Sequence, residues 1–219
     1  MTGLGLRPAL VKLDPFYPIV PDTAWLARLL PHGIRLVQLR VKDQPAGVIR
    51  TEVRTAMSLC AAYGCELVVN DYWREALDAG ASFVHLGQED LAAADLATIR
   101  AAKMKIGVST HSLEELDKAL AAGADYVALG PIYATTLKAM PWSPQGLPRI
   151  AEWRGRIACP LVAIGGITLD RAPLVLAAGA DSVAVITAIV TNQHPEAQAE
   201  NWITATAPWR HLSTGHPQG

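Results

Sequence analysis

The chain predicts a parallel (β/α)8 TIM barrel in a single domain, and three observations predict it. Short apolar runs alternate with helical stretches along nearly the whole chain, the order of a parallel sheet with helical crossovers. A glycine-centred segment recurs: Ala79-Gly80-Ala81-Ser82-Phe83-Val84-His85-Leu86-Gly87 resembles the stretches Ala122 to Gly130 and Ala178 to Val185. Each reads as a helix end, a glycine turn and the start of a strand. Counting such units gives eight in 219 residues, somewhat under the ~250 typical of this barrel. A doubly wound open sheet usually has fewer strands and a Gly-rich turn after the first; here the first strand runs into Val20-Pro21-Asp22.

Strands are expected at Phe16–Val20, Arg35–Arg40, Glu66–Asn70, Ser82–Leu86, Lys105–Ser109, Asp125–Gly130, Leu161–Gly165 and Ser182–Thr187. Helices lie between them, for example Gly47–Tyr63 and Ser112–Ala122, and a last one covers Pro195–Thr206. The barrel then spans 16–208, after an extension of 1–15 and before a flexible polar tail of 209–219. A hydrophobic share of 51% against 18% charged residues fits a buried sheet and excludes a disordered chain. Net charge of −1 and a pI near 6.6 leave no basic face for nucleic acid. Cys60, Cys65 and Cys159 are odd in number and lack zinc spacing, so they pack as small apolar residues in a reducing compartment. The N-terminus lacks a signal-peptide layout, and no apolar run reaches the ~20 residues of a membrane helix. A cytoplasmic location is the expectation.

In such a barrel the chemistry sits at the C-terminal ends of the strands. From Leu67 to Leu91 the chain reads strand, helix, strand, with Asp71 and Asp90 following the two strands onto one rim. Two carboxylates there can hold a hard divalent cation through oxygen; the alternative is that each caps the next helix. Gln38, Arg40 and Lys42 alternate with Val37, Leu39 and Val41, so the polar set faces the barrel axis or its mouth. Arg40 as a planar fork and Lys42 as a point charge suit a polyphosphate. Gly107 and Ser109 face inward on strand five, the glycine leaving room and the hydroxyl offering a donor and an acceptor. Ser112 is expected to cap the next helix with Glu115 reaching back.

The long loop Tyr133–Gln145 carries Thr135, Thr136 and Lys138 and is punctuated by Pro141 and Pro144, the make-up of a lid. After strands seven and eight, Gly165-Gly166 and Thr187 stand where such barrels hold a phosphate. The rim thus offers a cationic anion site and a neutral backbone one, which implies two phosphorylated substrates. His85 points into the barrel and reads as a core histidine supporting the site, since no nucleophile accompanies it. No Ser-His-Asp order, redox CxxC or nucleotide P-loop is present.

The motifs QLRVKD, VVNDYW, HLGQEDL, GVSTH, GPIYATTLKAMPWSPQG and AIGGI occur in this order. Together they resemble the thiamine phosphate synthase family over roughly Tyr17 to Ile189, and its proteobacterial branch in particular. The resemblance implies a transferase that joins hydroxymethylpyrimidine diphosphate to a thiazole phosphate, or its carboxylated form, releasing pyrophosphate and giving thiamine phosphate. It implies Gln38, Arg40 and Lys42 on the diphosphate, Asn70 at the pyrimidine end, and Asp71 and Asp90 on Mg²⁺. Ser109 and Lys138 become further pyrophosphate contacts, Thr135 lies near the thiazole, and Gly165, Gly166, Ile186 and Thr187 form its phosphate pocket. The implied mechanism is dissociative: pyrophosphate leaves, the aminopyrimidine stabilises the methylene cation, and the thiazole nitrogen captures it. No nucleic acid or membrane partner is implied, and a homodimer is compatible with it. Two positions depart from the family wording: Leu137 replaces a threonine of the loop, and Thr187 a serine. A thiazole tautomerase of the same fold lacks the full diphosphate and metal set that is present here. A non-catalytic phosphate-binding barrel has Leu137 as its only hint.

Overall fold

Alternate residues of the eight apolar runs separate into two cores. Val37, Leu39, Val69, Val84, Leu86 and Val127 face outward into the large cluster shared with the helices. Tyr17, Ile19, Leu36, Val68, Phe83, Tyr126, Val162 and Ala184 face inward and fill the barrel. Parallel strands with helical crossovers bury both faces, which is why the runs read as nearly continuous apolar sequence.

The computed structural model describes residues 11–135 and 142–210. Its strands are β1 (Phe16–Val20), β2 (Leu36–Leu39), β3 (Glu66–Asn70), β4 (Phe83–Leu86), β5 (Lys105–Thr110), β6 (Tyr126–Leu129), β7 (Leu161–Ile164) and β8 (Ser182–Val185). They close in sequence order into a parallel barrel, and β8 returns to β1 with Phe16 beside Val183. The helices are α1 (Thr23–Leu29), α2 (Ala46–Ala62), α3 (Trp73–Ala79), α4 (Gln88–Ala93), α5 (Leu96–Ala101), α6 (Leu113–Ala121), α7 (Gly146–Arg154), α8 (Ala172–Ala177), α9 (Thr187–Val190) and α10 (Pro195–Thr206). Several strands are shorter than expected by a residue or two, although pairing continues past some ends: Arg40 N–H donates to the Val20 carbonyl at 2.8 Å. Among the described residues no helix is long and apolar enough to cross a membrane.

The recurring glycine segment does what its composition predicts. Gly80, Gly123 and Gly179 take positive φ of 84°, 72° and 112°. After each, the alanine N–H reaches back into the helix: Ala81 to Ala76, Ala124 to Ala119, Ala180 to Val175. That left-handed stop satisfies orphan carbonyls and turns the chain into the next strand. At the helix starts, Asp22 accepts from Trp25 N–H at 3.0 Å and Ser112 from Glu115 N–H at 3.2 Å. Glu115 reaches back one residue further than expected, accepting from His111 N–H at 2.6 Å. At the opposite end, Leu13 is buried in the inner core, and Arg210 pairs with Asp14 at 2.9 Å. Residues on both sides of the expected boundaries therefore pack on the barrel.

Inside the barrel a polar chain crosses the apolar filling. Gln38 Nε2 donates to the Tyr17 hydroxyl at 3.0 Å, which lies 3.1 Å from the Tyr126 hydroxyl. That hydroxyl is 2.7 Å from His85 Nδ1, and His85 Nε2 is 2.8 Å from Ser109 Oγ. Gly107 makes this geometry available. It sits between His85 on β4 and Tyr126 on β6 in the strand register, and a Cβ there would overlap the Tyr126 ring. The room expected beside Ser109 is thus taken by Tyr126, whose ring stacks on His85 at a 5.5 Å centroid separation.

Burial, with the charge of Arg40 adding to it, holds the His85 imidazole down at about 4 against its usual 6.5. The unfolded chain takes up this proton first, so the contribution to stability is complete above pH 6.5 and is lost as pH falls through 4. At full extent it is worth about 3 kcal/mol. In an NMR titration the His85 ring should remain neutral to about pH 5, and protonation near 6.5 would contradict its burial. Gly107→Ala should lower thermal stability by about 1–3 kcal/mol through overpacking, measured by calorimetry.

Candidate active site

The C-terminal rim is built by how β2 to β5 end. β3 finishes in two tight turns, with Tyr72 N–H on the Asn70 carbonyl and Trp73 N–H on the Asp71 carbonyl, both at 2.8 Å. They place Asp71 at φ 63°, a left-handed conformation that aspartate tolerates better than most residues. Its N–H is secured on the His85 carbonyl at 2.8 Å. Neither aspartate caps a helix: Tyr72 stands at the cap position of α3 and Gly87 at that of α4, with Asp90 inside the first turn. The capping alternative is therefore excluded by the structure. A Cβ on Gly87 would lie 3.1 Å from Asp90 Oδ2, so a side chain there would crowd the carboxylate.

Asp71 and Asp90 meet. The Asp71 carboxyl is raised to about 6 from its usual 3.8; desolvation is the largest cause, followed by the charge of Asp90 and a hydrogen bond with it. Arg40 and Asn70 act in the opposite direction, by charge and by hydrogen bond. Two carboxylates sharing a site resist joint ionisation unless a cation intervenes. Among the described residues no group of three or more His, Cys, Asp or Glu forms a complete metal cage. A pair of carboxylates leaves room for water and substrate oxygens, which is how Mg²⁺ is usually held. The donor set thus fits a hard cation.

Of the other expected residues, Asn70 is buried at the end of β3 and Arg40 is half-buried past the end of β2. Lys42 is exposed on the same loop. Gln38 is 2% exposed, with its Nε2 donating to the Tyr17 hydroxyl at 3.0 Å. Ser109 is half-buried near the top of β5, where Gln88 of α4 donates to its carbonyl at 2.7 Å.

The second pocket follows from backbone contacts. Gly165 and Gly166 take φ of 98° and 64°. A Cβ on Gly165 would come within 2.7 Å of Pro131 Cα, and one on Gly166 would strike the Ala134 carbonyl. Beyond the strands, Ile132 N–H bonds to the Ile164 carbonyl and Tyr133 N–H to that of Gly165, at 2.9 and 3.0 Å. The glycines therefore let two rim loops close on each other, a second reason for glycine besides approach to an anion. Ile186 precedes α9 and accepts from Ile189 and Val190 N–H, both at 3.0 Å, while Thr187 opens that short helix at the surface. Thr135 is half-buried on the loop after β6; Thr136, Leu137 and Lys138 lie outside the described residues. The far side of that loop is anchored, with Trp142 stacked on His111 at 5.4 Å and Gln145 Nε2 on the His111 carbonyl at 3.0 Å.

Motif reading missed Tyr17, Tyr126, Gln88 and Arg171, whose guanidinium bonds the Gly166 carbonyl at 2.8 Å and covers the Tyr133 ring. For Tyr126 a signal existed, since an inward glycine on β5 next to an inward tyrosine on β6 pairs a gap with a bulky ring.

Residues 17–189 match the profile of the thiamine monophosphate synthase family. A thiamine-phosphate synthase of Rhizobium etli is 59% identical over 201 residues, covering 91% of this chain and 98% of that protein. One from Escherichia coli O6:H1 is 49% identical over 192 residues, covering 87% and 88%. A solved thiamine phosphate pyrophosphorylase from Pyrococcus furiosus superposes with a TM-score of 0.80 at 28% identity, covering 90% of this chain and 96% of that one. With its closed eight-strand barrel and its rim of paired carboxylates, this chain belongs to the thiamine monophosphate synthase family, transferases of thiamine biosynthesis.

Proposed function

We propose that this protein condenses 4-amino-2-methyl-5-hydroxymethylpyrimidine diphosphate with 4-methyl-5-(2-phosphooxyethyl)thiazole, or its carboxylated form, to thiamine phosphate and pyrophosphate. The observation that carries this reading is the meeting of Asp71 and Asp90, with the charge of Arg40 felt at Asp71, on the rim that also bears Ser109. A tautomerase has no need of a paired carboxylate site beside a guanidinium.

Charge develops on the departing pyrophosphate, so the residues that matter are those that hold its oxygens. Arg40 and Lys42 supply fixed positive charge, Lys138 a third cation from the loop, and Ser109 a hydroxyl donor. Asp71 and Asp90 would hold Mg²⁺, which when bound neutralises charge on the diphosphate oxygens. Asn70 orients the pyrimidine, and Thr135 faces the thiazole. Gly165, Gly166, Ile186 and Thr187 receive the thiazole phosphate through backbone N–H groups and a hydroxyl. Leaving-group departure creates a methylene cation that the aminopyrimidine ring stabilises by resonance, and the thiazole nitrogen then captures it. That route requires no general base. His85 agrees, being buried and engaged at both ring nitrogens.

Purified protein with both substrates and Mg²⁺ should form thiamine phosphate, read as fluorescent thiochrome after oxidation, and EDTA should abolish it. Asp71→Ala and Asp90→Ala should each lower the rate at least about tenfold; thiazole isomerisation without coupling would favour the tautomerase. Because Asp71 is raised to about 6, its protonation stabilises the fold at low pH and that stability is lost as pH rises through 6. Mg²⁺ should therefore raise the melting temperature above pH 6 and lose affinity below it, by about tenfold per pH unit if one proton is displaced. A pH-independent Mg²⁺ effect would show that the ion binds elsewhere.

A further inference from the structure

The polar chain through the barrel has a direction, and the direction decides what Ser109 can do at the rim. It has four hydrogen bonds joining five groups, Gln38, Tyr17, Tyr126, His85 and Ser109. Gln38 Nε2 faces the Tyr17 oxygen, so the amide is the donor at the far end. Tyr17 then has its single proton left for Tyr126, and Tyr126 has its own left for His85 Nδ1. A neutral imidazole that accepts at Nδ1 carries its proton on Nε2, which faces Ser109 Oγ. The four protons of these donors fill the four bonds. The Ser109 hydroxyl proton is left over and is free to point away from the barrel.

The opposite direction would consume that proton. With the amide reversed, Ser109 would donate to His85 Nε2, His85 Nδ1–H to Tyr126, and so on down to the Gln38 oxygen. Ser109 would then meet the rim only as an acceptor, which repels a phosphate oxygen.

We infer that Gln38, Tyr17, Tyr126 and His85 form a positioning relay that commits the Ser109 hydroxyl as a donor to an anion at the rim. The relay makes Ser109 selective for a diphosphate oxygen, an inference that rests on the transferase reading for the identity of that anion. It also explains why Gln38 is buried on Tyr17 rather than out at the mouth. Gly107 serves the same end, since only the absence of a side chain lets Tyr126 lean across to His85.

The test is the tautomer of His85, read from imidazole ¹⁵N shifts at neutral pH in the ligand-free protein. The wild type should carry its proton on Nε2, and Tyr126→Phe should shift the population toward Nδ1–H. Binding of inorganic pyrophosphate with Mg²⁺ gives a second readout. Tyr126→Phe should weaken it about two- to tenfold, the range of one net hydrogen bond, but add nothing in a Ser109→Ala background. Tyr17→Phe, one link further away, should have a smaller effect in the same direction. A wild-type His85 protonated on Nδ1 overturns the relay, as does an equal loss on Tyr126→Phe with and without Ser109. Should the wild type bind no pyrophosphate, the transferase reading fails, while the tautomer still decides the direction of the chain.

Discussion

Closure of β8 onto β1 is the constraint on which everything else depends. An eight-strand barrel has an interior only wide enough for side chains, so each inward residue is set against those of its neighbouring strands. Polar groups caught in that cylinder must find partners in it, because an unpaired buried polar group costs about 1–3 kcal/mol. The Gln38 to Ser109 chain is the solution here: five inward groups from five strands, joined end to end among the apolar side chains that fill the barrel. The same closure carries the far ends of the strands onto one rim, where loops of unrelated sequence meet.

On that rim the physics runs against stability. Asp71 sits in a left-handed conformation, half-buried and facing a like charge. Strain and crowded charge persist only when surrounding structure over-determines them, and here that structure is the His85 carbonyl, the tight turns after β3 and the seated helix α4. A fold selected only for stability would replace one carboxylate. Under the proposed function the pair would hold a cation that neutralises both carboxylates and the anionic substrate beside them. The described parts of the loops after β6 and β7 are held together instead by backbone contacts that two glycines permit.

Much of the fold was legible because its signals are local. Gly80, Gly123 and Gly179 announce left-handed stops through composition alone, and the structure carries all three with their return hydrogen bonds. Alternation in Gln38-Leu39-Arg40 assigned inward and outward faces correctly, since a strand has period two and one face had to meet helices. Asp71 and Asp90 were legible as a pair on one rim because parallel strands share a direction. Strand ends were less legible: pairing past Leu39 and Val20 depends on neighbours rather than on the residue itself.

The sequence by itself determined the number of β/α units, the faces of the strands, the rim and the family, because each is written in local periodicity or in contiguous motifs. Only the tertiary structure decided that Tyr126 fills the space beside Gly107, that Gln38 takes Tyr17 as its partner, and that Glu115 reaches His111 rather than Ser112. It also decided that Asp71 and Asp90 press on each other instead of capping helices. Those outcomes join residues from strands far apart in the chain, and which of several partners a side chain reaches is set by the distances that closure imposes.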